Sequence, residues 1–224
     1  MIYIYLLFFL SIAISSLAQV FIKKRYSEFS KIENTKKISG VEVAQEILKK
    51  NGLDNVYVVE THGYLSDHFD PKANVIRLSS EVFHGTTISS ASIAAHECGH
   101  AIQHKEGYSL MKIRSSIVPV VNLCSKLGYA AIAIGVAASV VDLYLVGIIL
   151  LASILIFQFV TLPVEFDASK RGLANLEKLH ILNASERKGS AKVLTAAALT
   201  YVAGLITTLL EIARLLLNVL GDRD

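Results

Sequence analysis

The chain has 224 residues, of which 53% are hydrophobic, with two cysteines and a net charge of +3. A soluble domain carries about 45–50% apolar residues, and here the excess falls in blocks, so membrane spans are expected rather than a uniformly soluble composition. Two cysteines give no disulfide framework and fit a reducing compartment. The small positive balance sits beside the apolar blocks and reads as membrane topology, with no nucleic-acid partner.

Residues 1–22 are apolar and long enough to cross a bilayer as a helix. Lys23, Lys24 and Arg25 follow at once. A cleavable signal peptide is the rival reading, since Ser16-Leu17-Ala18 resembles a small-residue cleavage site. A signal peptide, however, carries its positive charge before the apolar run. The positive-inside rule then makes this an uncleaved anchor, N-terminus outside, with residue 23 onward in the cytoplasm. Residues 26–37 are polar and read as a linker. Over residues 39–51, Val41, Ala44, Ile47 and Leu48 recur at helical spacing, and Asn51-Gly52 ends an amphipathic helix. Residues 56–59 read as a strand, 63–70 as loop, and Pro71-Lys72-Ala73-Asn74 as a turn. Residues 74–78 are a second strand, which either packs inward or offers its edge to an extended peptide. Ser79 or Ser80 opens a short helical segment, and residues 87–90 can cap the helix that follows.

That helix, over residues 89–105, carries His96-Glu97-Cys98-Gly99-His100, an H-E-x-x-H pattern. Residues four apart lie one turn above each other on one helix face. His96 and His100 can therefore turn imidazole nitrogens toward one metal ion. Glu97 is placed beside the metal, where it can take a proton from a water activated there. Zinc suits the set, because it accepts nitrogen and oxygen ligands and keeps a position open for water. A surface helix with two solvated histidines is the plainer reading. Against it, Ile88, Ala91, Ala94, Ala95 and Ile102 would let the helix pack inside a fold. Gly99 costs about 1 kcal/mol relative to Ala in a helix interior, which makes sense where a metal or another backbone comes close.

Residues 117–141 and 143–162 are two apolar runs with Asp142 between them, a helical hairpin. Lys112 and Arg114 precede it and Lys170 and Arg171 follow, so both flanks are cytoplasmic by the same rule. Lys126 either snorkels or lies before the true span. Pro163 is read as opening a new helix with Glu165 and Asp167 in its first turn. Residues 168–182 continue that helix, 185–192 form a basic loop, and 193–210 are again long enough to cross. A buried or interfacial helix is the alternative for this last run. Glu211 and Arg214 can pair, and the tail Gly221-Asp222-Arg223-Asp224 fits an outside C-terminus.

A catalytic zinc site needs a third protein ligand. His104 would add a third rung to a straight helix that cannot wrap a tetrahedral ion, and His180 lies far down a charged helix. Glu165 is the expected ligand, because the hairpin returns it to the side of the membrane that holds His96 and His100. Asp167 is the fallback.

Three segments together carry a resemblance: Ala95-His96-Glu97-Cys98-Gly99-His100-Ala101-Ile102-Gln103, Asp67-His68-Phe69-Asp70-Pro71 and Leu162-Pro163-Val164-Glu165-Phe166-Asp167-Ala168-Ser169. The chain resembles the bacterial membrane-bound neutral zinc metallopeptidases of the YugP type and, at greater distance, the HtpX-like peptidases. In the latter a glutamate after a transmembrane hairpin completes the site within a pattern like E-x-x-A-D. Glu165 and Ala168 match it, and Ser169 stands where the pattern has aspartate. The resemblance implies metallopeptidase activity at a gluzincin-type site in a multi-pass protein of the bacterial plasma membrane; the cytoplasmic side follows from the basic flanks above.

The resulting expectation is a mainly α membrane protein with about four transmembrane helices and a small cytoplasmic α+β zincin-like metalloprotease domain. Its parts are an anchor at 1–22, a metalloprotease unit at 23–114, a transmembrane hairpin at 115–162, a cytoplasmic helix with the third ligand at 163–190, and a transmembrane or membrane-associated helix at 191–224. Zn2+ is held by His96, His100 and Glu165, and Glu97 is the general base. His68, Tyr108 and Arg171 are candidate oxyanion donors. The partners are a polypeptide substrate and the lipid bilayer. Two rivals are an intramembrane protease, disfavoured by the polar residues of 89–105, and a non-catalytic membrane scaffold stapled by zinc.

Overall fold

The structure is a computed structural model and describes residues 2–221. The tail residues Asp222, Arg223 and Asp224, expected outside the membrane, lie outside the described residues. In chain order the elements are α1 (Ile2–Phe29), α2 (Gly40–Lys50), β1 (Tyr57–Thr61), β2 (His68–Asp70), β3 (Val75–Ser79), α3 (Ser80–His84), α4 (Ile88–Lys105), α5 (Ser109–Ala137), α6 (Val141–Lys178) and α7 (Ala184–Gly221). Four of them, α1, α5, α6 and α7, are long and apolar enough to cross a membrane. The chain divides into two compact units.

One unit comprises residues up to Gln19, Lys112–Pro163 and the chain from Leu199. Its helices are apolar on most faces, as a lipid solvent requires. The α5–α6 hairpin turns at residues 138–140, with Ser139 at φ 55°, rather than at Asp142. Gly128 and Gly147 let the two backbones meet: a Cβ on Gly147 would stand 2.8 Å from the Gly128 carbonyl oxygen. Tyr144, Ile148, Leu151 and Leu215 form the buried cluster of this unit. Glu211 and Arg214 pair, with Nε to Oε2 at 2.9 Å. Proline 163 does not open a new helix. It sits inside α6, which continues on both sides of it. Proline removes one backbone hydrogen bond, but in a long helix the remaining bonds and the packed side chains on both sides hold the continuation.

The second unit comprises Val20–Met111 and Val164–Ala198. Ser39 caps α2 in a reciprocal capping box with Glu42, which fixes where that helix starts. Val43, Ala44, Ile47 and Leu48 of α2 are buried with Ile76, Leu78 and Val82 and with the inner face of α4, including Ala91, Ala94, Ala95 and Cys98. The three-stranded sheet has the order β1-β3-β2, with β1 parallel and β2 antiparallel to β3. β3 is thus the central strand, paired on both sides, and its edge cannot receive a peptide. Inward packing, with Ile76 and Leu78 fully buried, is what its sequence encodes.

Two stretches read as irregular are helical. Residues 26–29 complete α1, because Tyr26 and Phe29 are buried and the Tyr26 hydroxyl donates to Glu81 at 2.9 Å. Residues 185–192 belong to α7. The side-chain oxygen of Asn183 accepts from the backbone N–H of Ser185 and Glu186, while Glu186 accepts from the Asn183 N–H. This Asn-x-x-Glu capping box starts the helix where a basic loop is expected.

Candidate active site

Helix α4 is set by its first turn and by burial. Thr87 accepts the Ser90 N–H at 3.1 Å, and the face carrying Ala91, Ala94, Ala95 and Cys98 packs into the core. That packing fixes the rotation of the helix and hence the direction of the next face, which carries His96 and His100. Their ring centroids are 4.8 Å apart, edge to face. From α6, Glu165 brings Oε2 to 3.4 Å from His96 Nε2 and 3.6 Å from His100 Nε2. Glu165 is 2% exposed and His100 7%.

This donor set fits zinc. One ligating atom from each of the three residues lies within 4.8 Å of the others. Ligands held about 2.0–2.2 Å from a tetrahedral ion stand about 3.3–3.6 Å apart, which is the spacing of the Glu165 oxygen from both imidazoles. Burial discourages charge on His100, but the Glu165 and Glu97 carboxylates beside it outweigh burial, and its pKa lies above the ordinary histidine value.

The approach of α6 to α4 depends on two glycines. A Cβ on Gly99 would lie 2.2 Å from the Ala168 carbonyl oxygen, and one on Gly172 would lie 2.8 Å from that of Ala95. Another backbone is therefore what comes close to Gly99. Around the triad, the outer ring nitrogens are engaged. His96 Nδ1 is 3.1 Å from Ser169 Oγ, and His100 Nδ1 is 3.0 Å from Gln103 Oε1. Ser169, where the resembled pattern has aspartate, thus still meets the first histidine.

Glu97 is buried, 6% exposed, and its charge is felt at His100 and at Asp67. Asp167 turns away from the cluster toward Arg171 and Gln103. His104 packs its ring against Phe69, and His180 lies past the end of α6 with φ 52°. Of the expected oxyanion donors, Arg171 is held by Asp167 and Glu106, Tyr108 lies beneath the Arg171 guanidinium, and His68 Nδ1 contacts the Ser66 carbonyl. Gln103 closes the segment around the H-E-x-x-H pattern but carries no role in the sequence reading. It is fully buried, and a polar side chain on an inward helix face is the signal that finds it.

Residues 4–220 match the family described as "Putative neutral zinc metallopeptidase". The chain belongs to this family. It is 40% identical over 222 residues to a protein named "Putative membrane protease YugP" from Bacillus subtilis (strain 168), covering 98% of this chain and 99% of the relative. No solved structure matches significantly. For a member of a zinc metallopeptidase family, the convergence of two histidines and a glutamate is the feature that the family description makes chemically meaningful.

Proposed function

We propose that the chain is a membrane-embedded zinc metalloendopeptidase that hydrolyses peptide bonds of membrane or membrane-proximal proteins on the cytoplasmic side. The observation that carries this is the meeting of His96 and His100 from α4 with Glu165 from α6, with Glu97 in the same turn. His96, His100 and Glu165 would hold the zinc. When bound, zinc supplies Lewis acidity that brings the pKa of water toward neutrality and polarises a peptide carbonyl.

Glu97 performs the proton chemistry. Its carboxylate oxygen accepts a proton from the attacking water and then delivers it to the departing amine nitrogen, so that water adds across the C–N bond. Ser169 and Gln103 orient the two imidazoles from behind. Among the described residues, His96, His100 and Glu165 are the group that could hold a metal ion. Three ligands with a position left for water is the pattern of catalytic sites, whereas structural zinc is closed by four. That favours an enzyme over a zinc-stapled scaffold.

The cytoplasmic orientation is part of the proposal. Lys23, Lys24 and Arg25, then Lys112 and Arg114, then Lys170 and Arg171 border the apolar runs in sequence and support it by the positive-inside rule. So is the division into an anchor, a hairpin, a cytoplasmic catalytic unit and a last spanning helix. The test is Glu97→Gln. Purified E97Q should bind zinc as the wild type does and fail to cleave a denatured model protein that the wild type cuts. Cleavage at the wild-type rate by E97Q ends this mechanism.

A further inference from the structure

We infer that Gln103 is a positioning residue that fixes the tautomer of His100 and thereby presents its Nε2 lone pair to the metal. The inference rests on the proposed zinc site. A neutral imidazole ligates through the nitrogen that carries no proton, and which nitrogen that is depends on what the other one meets. Nδ1 of His100 meets Gln103 Oε1 at 3.0 Å. A carboxamide can in general turn over and present its nitrogen instead. This one is held. Gln103 Nε2 donates to the Val164 carbonyl oxygen and to Asp167 Oδ2, each at 2.8 Å.

Two hydrogens on that nitrogen thus face two acceptors. The same Asp167 oxygen also accepts from Arg171 Nε. Turning the amide would set its oxygen against a carbonyl and a carboxylate, in a side chain with 0% exposure. Oε1 therefore faces the ring, and Nδ1 of His100 is the donor. The unprotonated nitrogen is Nε2, the one that stands 3.6 Å from Glu165.

His96 has no such device. Its Nδ1 meets the hydroxyl of Ser169 at 3.1 Å, and a hydroxyl donates or accepts as required. The tautomer is thus imposed at His100. The same amide does a second job, because Val164 and Asp167 flank Glu165 on α6. Its acceptor half orients a histidine, and its donor half ties α4 to the turn that carries the third ligand.

The two halves separate by substitution. Gln103→Met keeps length and loses both functions. Gln103→Glu keeps an acceptor toward Nδ1–H and loses the donors. Zinc affinity is measured on full-length protein in detergent by competition with a chromophoric chelator, and unfolding temperature on the zinc-free protein. Q103M should bind zinc about 10–100-fold more weakly than wild type, and Q103E within about threefold or more tightly. Both should unfold at lower temperature, because both lose the tie to α6. Wild-type affinity in Q103M, or a tenfold loss in Q103E, overturns the inference. If Q103M does not fold, Q103E decides alone. A wild-type protein that binds no zinc is a different failure, seen before any variant is made, and it removes the proposed site itself.

Discussion

Gly99→Ala should uncouple the metal site from the stability of the fold. The added Cβ would lie 2.2 Å from the Ala168 carbonyl oxygen and 2.9 Å from its carbon, where real Cβ contacts essentially never fall under 3.0 Å. The obstacle is backbone, which cannot rotate away as a side chain does. Moving from 2.2 to 3.0 Å needs α6 to retreat by about 0.8 Å. Glu165 is one turn before Ala168 on the same helix and moves with it. Its Oε2 now stands 3.4 and 3.6 Å from the two imidazole nitrogens. A retreat of that size takes both gaps beyond 4 Å, out of the span that a tetrahedral zinc bridges at about 2.0–2.2 Å per ligand. Overpacking costs about 1–3 kcal/mol, while replacing a helical glycine by alanine returns about 1 kcal/mol. Net destabilisation is therefore about 0–2 kcal/mol, and the protein should fold. Zinc affinity by chelator competition should fall about 100-fold, and cleavage with it, as a misplacement near 1 Å entails. Gly172→Ala meets its obstacle at 2.8 Å and should show a weaker form of the same effect. Folded G99A protein with zinc affinity within about threefold of wild type would refute the argument that this contact sets the site.

Other consequences are as direct. Glu165→Ala should purify with zinc well below one equivalent while keeping its helical signal, since the two remaining imidazoles make an incomplete site; a full equivalent of zinc by elemental analysis rules out Glu165 as ligand. For Asp67, burial raises the carboxyl pKa and the Glu97 charge adds to it, against the hydrogen bonds from Ser79. A carboxyl whose folded pKa is raised binds its proton more readily in the native state, so stability is gained as pH falls through that pKa and is absent at neutral pH. Asp67→Asn keeps an oxygen for the Ser79 N–H and lacks the titration. The unfolding temperature of wild type relative to D67N should therefore rise between pH 7 and about pH 4, and a pH-independent difference contradicts the assignment.

What the sequence conveyed and what it withheld divide along physical lines. The four apolar helices and the inner face of α4 were legible because each depends on local pattern. The elements that were misread depend on partners far along the chain. Residues 26–29 stay helical because Tyr26 reaches Glu81. The strand β2 has three residues, too few to show alternation, and exists because β3 offers it an antiparallel edge. Pro163 is an ordinary helix opener by its local rule, yet α6 passes through it. Past that proline, Glu165, Ala168, Ser169 and Gly172 share a single face of α6, so the contacts at Gly99 and Ala95 and the Ser169 bond to His96 all aim the same carboxylate. The H-E-x-x-H pattern is contained in five residues, whereas the proposed third ligand, Glu165, is placed by the whole interface between two helices. Substitutions across that interface, far more than those at the exposed ends of either helix, should therefore register in metal affinity.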